Sequence, residues 1–181
     1  PDVFVLQPWA ETEDPLAVVA HLLSDSGAVA IGEQTWSGFL LELQVRLPEA
    51  RFATSAPLTR QLRMRKDDAE IGALRRAAHA ADRVVERLRE VRFAGRTEAQ
   101  LSRMVADMTI EEGHQAASFA IVASGPNGAS PHHDAGDRVI ETGDAVVVDF
   151  GGTVDGYGSD TTRNFSVGEP SSDYRRAFAV L

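Results

Sequence analysis

Two aspartates stand where aspartate is out of pattern. Asp149 ends the run Val146-Val147-Val148, apolar enough to be buried on both faces of a sheet. An unpaired carboxylate there costs several kcal/mol unless a cation, an arginine or a raised pKa compensates it. Asp160 interrupts a second strand-like run, between Ser159 and Thr161. Asp155-Gly156 lies between the two and is a strong type I′ hairpin signal. With a two-residue loop, Asp149 faces Thr162 and Asp160 faces Gly151, all four on one face. The aspartates are then diagonal neighbours, roughly 7–8 Å apart at Cα, and their carboxylates can converge on one or two hard cations. A loop one residue longer changes the parity. Spacing alone therefore leaves open both a metal site and a plain strand-edge role, while Asp155 reads as a turn residue only. Oxygen ligands without cysteine suit Mn, Mg or Ca, and with histidine Zn or Co.

His132 and His133 follow Pro131 in the polar loop 124–137 before this hairpin. A histidine beside a metal pair moves protons near neutral pH. A histidine pair in a loop is also common surface decoration, and the residues alone do not separate the two. Other chemistries are excluded more firmly. A calcium loop starting at Asp149 fails because its third position is Gly151 and its fifth Thr153. Gly156-x-Gly158 lacks the third glycine of a dinucleotide fingerprint, and there is no Walker loop or Gly-x-Ser-x-Gly elbow.

These residues need elements to hold them. Phe119–Ala123 and Ala145–Phe150 read as strands, and 157–167 as the strand returning from the hairpin. Upstream, a long helix is predicted over 67–91, with Asp67, Asp68 and Glu70 in its first turn. Its apolar stripe is Ile71, Leu74, Ala78, Ala81, Val85 and Leu88. A second helix starts at Thr97, with Gln100 completing a capping box, and Leu101, Met104, Val105 and Met108 form its core face. The first 56 residues alternate: strand 2–6, a helix opened by Asp14-Pro15, strand 28–31, helix 37–45 and strand 51–54. That rhythm predicts part of an α/β domain. Residues 57–66, where Pro57 breaks the pattern and the charge changes sign, read as a linker. His21, His79 and His114 read as structural or solvated.

The 181 residues carry a formal net charge of −9, with 25% charged and 43% hydrophobic residues. That mix belongs to an ordinary globular protein and excludes wholesale disorder. No apolar run reaches the roughly 20 residues of a membrane helix, and residues 1–10 have no basic secretory leader. Only residues 60–103 are net basic, and there arginines alternate with acids as on a solvated helix, so a nucleic-acid role has no support. The absence of cysteine fits a reducing, cytoplasmic compartment. Pro1 is not an initiator, and the helix opened at Ser171-Ser172-Asp173 is cut at Leu181, so a fragment of a longer protein is expected.

Three stretches carry a resemblance. They are Ile121-Val-Ala-Ser-Gly-Pro-Asn-Gly-Ala-Ser-Pro-His-His, Gly143-Asp-Ala-Val-Val-Val-Asp-Phe-Gly-Gly and Asp155-Gly-Tyr-Gly-Ser-Asp-Thr-Thr-Arg163. Together they resemble the proline-specific pita-bread metallopeptidases, the Xaa-Pro dipeptidases (prolidases) and Xaa-Pro aminopeptidases. The ten-residue gap between Asp149 and Asp160, with Thr-Arg after the second, is the most specific part. The resemblance implies an α+β chain: the end of a small N-terminal α/β domain over 1–56, a linker over 57–66, and the first half of a pita-bread domain over 67–181. It implies two divalent metals, Mn first and then Co or Zn, with Asp149 a terminal ligand and Asp160 a bridging one. His132 would contact substrate and assist proton transfer, and Thr162 and Arg163 would brace the ligands from behind. The substrate would be a small peptide with proline second, and the assembly a homodimer. The family completes its site with a downstream histidine and two glutamates that find no counterpart here, so this chain alone is expected to be inactive. A metal-free relative of the creatine amidinohydrolase type and a non-catalytic peptide-binding module are the alternatives.

Overall fold

The computed structural model describes residues 6–180. The predicted strand over 2–6 lies outside them except for Leu6, which is in no strand. The chain divides into two units, one ending at Arg65 and one beginning at Lys66.

In the first unit, Asp14 accepts hydrogen bonds from the backbone N–H groups of Leu16 and Ala17. With Pro15 in the first turn it starts α1 (Pro15–Leu22). Strand β1 (Ala28–Ile31), helix α2 (Ser37–Arg46) and strand β2 (Arg51–Thr54) follow. The strands pair in parallel, Ala28 against Arg51 through Ile31 against Thr54. The α/β rhythm thus yields a crossover unit, as parallel pairing through a helix requires. The residues read as a linker, 57–66, are largely helix α3 (Ala56–Met64). Pro57 falls in its first turn, where a missing N–H costs nothing, so it opens a helix rather than breaking one.

The second unit opens with α4 (Asp68–Arg89) and α5 (Glu98–Glu111), each started by a reciprocal capping box: Asp67 with Glu70, and Thr97 with Gln100. A sheet follows, made of β3 (Ala116–Ser124), β4 (Ala145–Val154), β5 (Tyr157–Gly158) and β6 (Thr161–Ser166), and helix α6 (Ser172–Phe178) closes the described chain. Strand β4 is central, antiparallel to β3 on one side and to β5 and β6 on the other. Both long helices bury one face against this sheet. The core joins Ala81, Val84, Val85 and Leu88 of α4 and Leu101, Val105 and Met108 of α5 to Val122, Val146, Val148 and Phe150.

Three expectations need correction. The buried stripe of α4 is Ala73, Ala77, Ala80, Ala81, Val84, Val85 and Leu88, and Ala78 is exposed. So many alanines leave hydropathy unable to choose a face. The valine run is fully buried on one face only: Val146 and Val148 point to the helices, while Val147 and Asp149 are half-buried on the opposite side. Asp149 is therefore not sealed in a core and keeps some access to solvent. The returning strand is broken at Ser159-Asp160 into β5 and β6. Among the described residues no helix is long and apolar enough to cross a membrane.

Candidate metal centre

The hairpin closes on Asp155 and Gly156, both at positive φ (51° and 79°), the signature of a type I′ turn. The register follows: Val154 pairs Tyr157, Thr153 pairs Gly158, and beyond the break Phe150 pairs Thr161 and Asp149 pairs Thr162. The parity read from the two-residue loop is the observed one for Asp149 and Thr162, but Asp160, expected to face Gly151, pairs with no residue of β4. The break has a steric cause in β4. A Cβ on Gly151 would lie 2.3 Å from the Ser159 carbonyl oxygen, and one on Gly152 would lie 2.6 Å from the Ala116 oxygen and 2.7 Å from the His114 ring. Gly151 thus leaves room for the Ser159 carbonyl against β4, and Gly152 leaves room for Ala116 and the His114 ring. His114 locks Ser159 there: its ring nitrogens bond the Thr109 carbonyl oxygen (3.0 Å) and Ser159 Oγ (2.9 Å). This histidine is structural, as read, but it braces the pinch that turns Asp160 out of the ladder.

Asp149 and Thr162 meet directly, the Thr162 hydroxyl donating to Asp149 Oδ1 at 2.7 Å. That bond fixes the carboxylate and leaves Oδ2 free to bind. Asp160 is exposed and makes no hydrogen bond among the described residues. Arg163 alternates to the opposite face, paired with Val148, and its Nη1 donates to the Thr162 carbonyl oxygen at 2.8 Å. It braces β6 rather than the Asp149 carboxylate. The donor set is two carboxylates, hard oxygen ligands of the kind Mn, Mg or Co accept. The kind fits and the number falls short: among the described residues no group of three or more His, Cys, Asp or Glu could hold a metal ion.

The loop from β3 to β4 begins with a 3-10 turn over Gly125–Ala129. A Cβ on Gly128 would sit 3.6 Å from Val147 Cγ2, so the turn lies over the face that bears Asp149. His132 is exposed, in left-handed backbone at φ 58°, and no hydrogen bond links it to the hairpin among the described residues. His133 is different. Its Nε2 lies 2.8 Å from Oε2 of Glu98, a residue the sequence reading did not single out. Glu98 is fully buried and also accepts from Ser124 N (2.7 Å), Ser124 Oγ (2.7 Å) and Asn127 Nδ2 (3.1 Å). Burial pushes the Glu98 carboxyl up, but the bonds from Ser124, His133 and Asn127 outweigh it and hold it at about 2. No local signal marks this residue, because an acid in the first turn of a helix is ordinary.

A model of metallopeptidase family M24 matches residues 72–181. The chain is 41% identical over 175 residues to the probable dipeptidase PepE of Mycobacterium tuberculosis, covering 96% of this chain and 46% of that protein. It is 31% identical over 145 residues to the Xaa-Pro dipeptidase of Pyrococcus horikoshii, covering 80% and 41%. The crystal structure of dipeptidase PepE from Mycobacterium ulcerans superposes with a TM-score of 0.85 at 41% identity, over 97% of this chain and 47% of that one. The recombinant prolidase from Thermococcus sibiricus gives 0.88 at 32% identity, over 95% and 48%. The chain spans about half the length of the curated relatives it matches.

Proposed function

Because this chain belongs to metallopeptidase family M24 and matches about half of a pita-bread prolidase, we propose that the whole protein hydrolyses Xaa-Pro bonds. Its substrates are dipeptides or peptide N-termini with proline second. Asp149 and Asp160 hold two divalent metal ions there, Mn first and then Co or Zn, together with ligands from beyond this chain. When bound, such ions polarise the scissile carbonyl and lower the pKa of a water so that hydroxide is available near neutral pH. The chain's own residues do the rest. Thr162 holds the Asp149 carboxylate in one rotamer through its hydroxyl, Arg163 steadies the strand that carries Thr162, and His132 orients the substrate and stabilises charge developing on it.

The observation that carries this reading is the β4–β6 register, with Thr162 donating to Asp149 across the pair. It supports a braced, partly solvated carboxylate rather than a strand-edge accident. The test uses the whole protein, stripped by a chelator and reloaded separately with Mn²⁺, Co²⁺ or Zn²⁺. Hydrolysis of Ala-Pro should return, strongest with Mn²⁺, while Ala-Ala is cleaved far more slowly. Equal rates on the two dipeptides overturn the proline specificity. Undiminished activity after stripping favours the metal-free alternative. Asp149→Ala should lose bound metal, counted per chain, and turnover together; full activity in that variant sinks the model. A homodimer belongs to the same reading, and light scattering at twice the chain mass checks it.

A further inference from the structure

Loop 124–138 is tied to the start of α5 at its entry, its middle and its exit. At the entry, Ser124 gives Glu98 both its backbone N–H and its hydroxyl. In the middle, Asn127 Nδ2 reaches both Glu98 oxygens (3.1 Å each) and His133 Nε2 reaches Oε2. At the exit, Glu98 N donates to the Arg138 carbonyl oxygen (3.0 Å) and Ala99 N to that of Gly136 (2.9 Å). Arg138 closes the circuit, its Nη1 donating to Ser124 Oγ (2.5 Å) and to Asp144 Oδ2 (2.7 Å). One side chain thus gathers donors that lie 26, 29 and 35 residues from it in sequence.

His132 is next to the anchored His133 and occupies left-handed backbone, which is uncommon for a residue with a Cβ. We propose that Glu98 is the positioning residue for His132: by gripping Ser124, Asn127 and His133 it holds loop 124–138 in the one conformation that presents the His132 imidazole to substrate. Glu98 itself touches no substrate. The proposal rests on the peptidase reading for what His132 does, but not for where the loop is held.

The test is Glu98→Gln in the whole protein, which keeps the shape and turns one acceptor into a donor facing donors. Hydrogen exchange followed by mass spectrometry should show amides of 124–138 exchanging at least about tenfold faster, with α4 and β4 unchanged. In the Ala-Pro assay kcat should fall about 30- to 100-fold, the scale of a small misplacement of a reacting group. KM should stay within about threefold and metal per chain should be unaltered. His133→Ala, which removes one donor and leaves Glu98 its bonds from Ser124 and Asn127, should move both readouts in the same direction by less. Unchanged loop exchange overturns the proposal. So does faster exchange across α4 and β4 alike, which reports general destabilisation, and so does an altered metal count. If the unmutated protein cleaves no Xaa-Pro dipeptide, the function reading fails by itself, and the exchange pattern still decides whether Glu98 holds the loop.

Discussion

Thr162 shows how one hydroxyl prepares a carboxylate. Its bond to Asp149 Oδ1 restrains the side chain, so on the proposed reading a cation would meet an oxygen already aimed. Thr162→Val keeps the volume and removes the donor. Bound-metal titration of the whole protein should show affinity weakened by about 10- to 100-fold, the usual result of losing a group that orients a ligand. Gly152 acts by absence. A methyl there would lie 2.6 Å from the Ala116 oxygen and 2.7 Å from the His114 ring. Gly152→Ala should cost about 1–3 kcal/mol by overpacking, read as a lower urea midpoint. Glu98 makes stability depend on acid. Its carboxyl titrates at about 2 in the folded chain against an ordinary 4.5. It therefore stabilises fully above the unfolded value, and that stabilisation, about 3 kcal/mol, is lost as pH falls from about 4.5 toward 2. In urea titrations, the stability gap between the wild-type chain and Glu98→Gln should be wide at pH 6 and should narrow through that window.

At the scale of elements, legibility followed the range of the cause. Type I′ turn, hairpin register and helix caps depend on residues within four positions of each other, and Asp155-Gly156, Asp14-Pro15 and Thr97 with Gln100 all formed as read. The face of α4 formed only in part: Ala81, Val85 and Leu88 are buried as read, but Ala78 is exposed, because alanines at 73, 77, 78, 80 and 81 carry too little contrast and the sheet makes the choice. The break at Ser159-Asp160 was hidden because Ser159 is held by Gly151 and His114, 8 and 45 residues away in sequence. Pro57 misled because proline ends one helix and begins another by the same chemistry. Glu98 was illegible in principle, since each of its side-chain partners is at least 26 residues away. Where the cause is local, its size is predictable as well. Asp67→Ala removes the cap of α4 and should cost about 1 kcal/mol, seen as a shift in the thermal midpoint of the second unit.

Across the whole chain, buried apolar side chains are unevenly shared. The second unit has a continuous core from Ala81 to Phe150, and the first buries Val29, Leu43, Leu47 and Ala56 among its described residues. Local opening is cheapest where buried apolar contact is thinnest. Amide exchange should therefore be faster throughout β1, α2 and β2 than in β4 or the middle of α4. Equal protection in both units would contradict this. The charge pattern matters less for stability, because pairs such as Arg60–Glu33 and Arg76–Asp155 are exposed and contribute little.

The tight Asp155-Gly156 turn also has a bearing on time. Contacts of short sequence separation close quickly, and a hairpin zips in about 1–10 μs. Asp149 and Thr162 are thirteen residues apart and are brought face to face by that zipping. The Glu98 anchor must wait for the collapse of a much longer loop. The hairpin belongs early in folding and the anchor late. Gly156→Ala, which forces a methyl into backbone at φ 79°, should therefore slow refolding and barely change unfolding. Glu98→Gln should do the reverse, leaving the refolding arm in place and steepening the loss of the native state. The Asp149–Thr162 contact would then take shape before loop 124–138 has found its hold on Glu98.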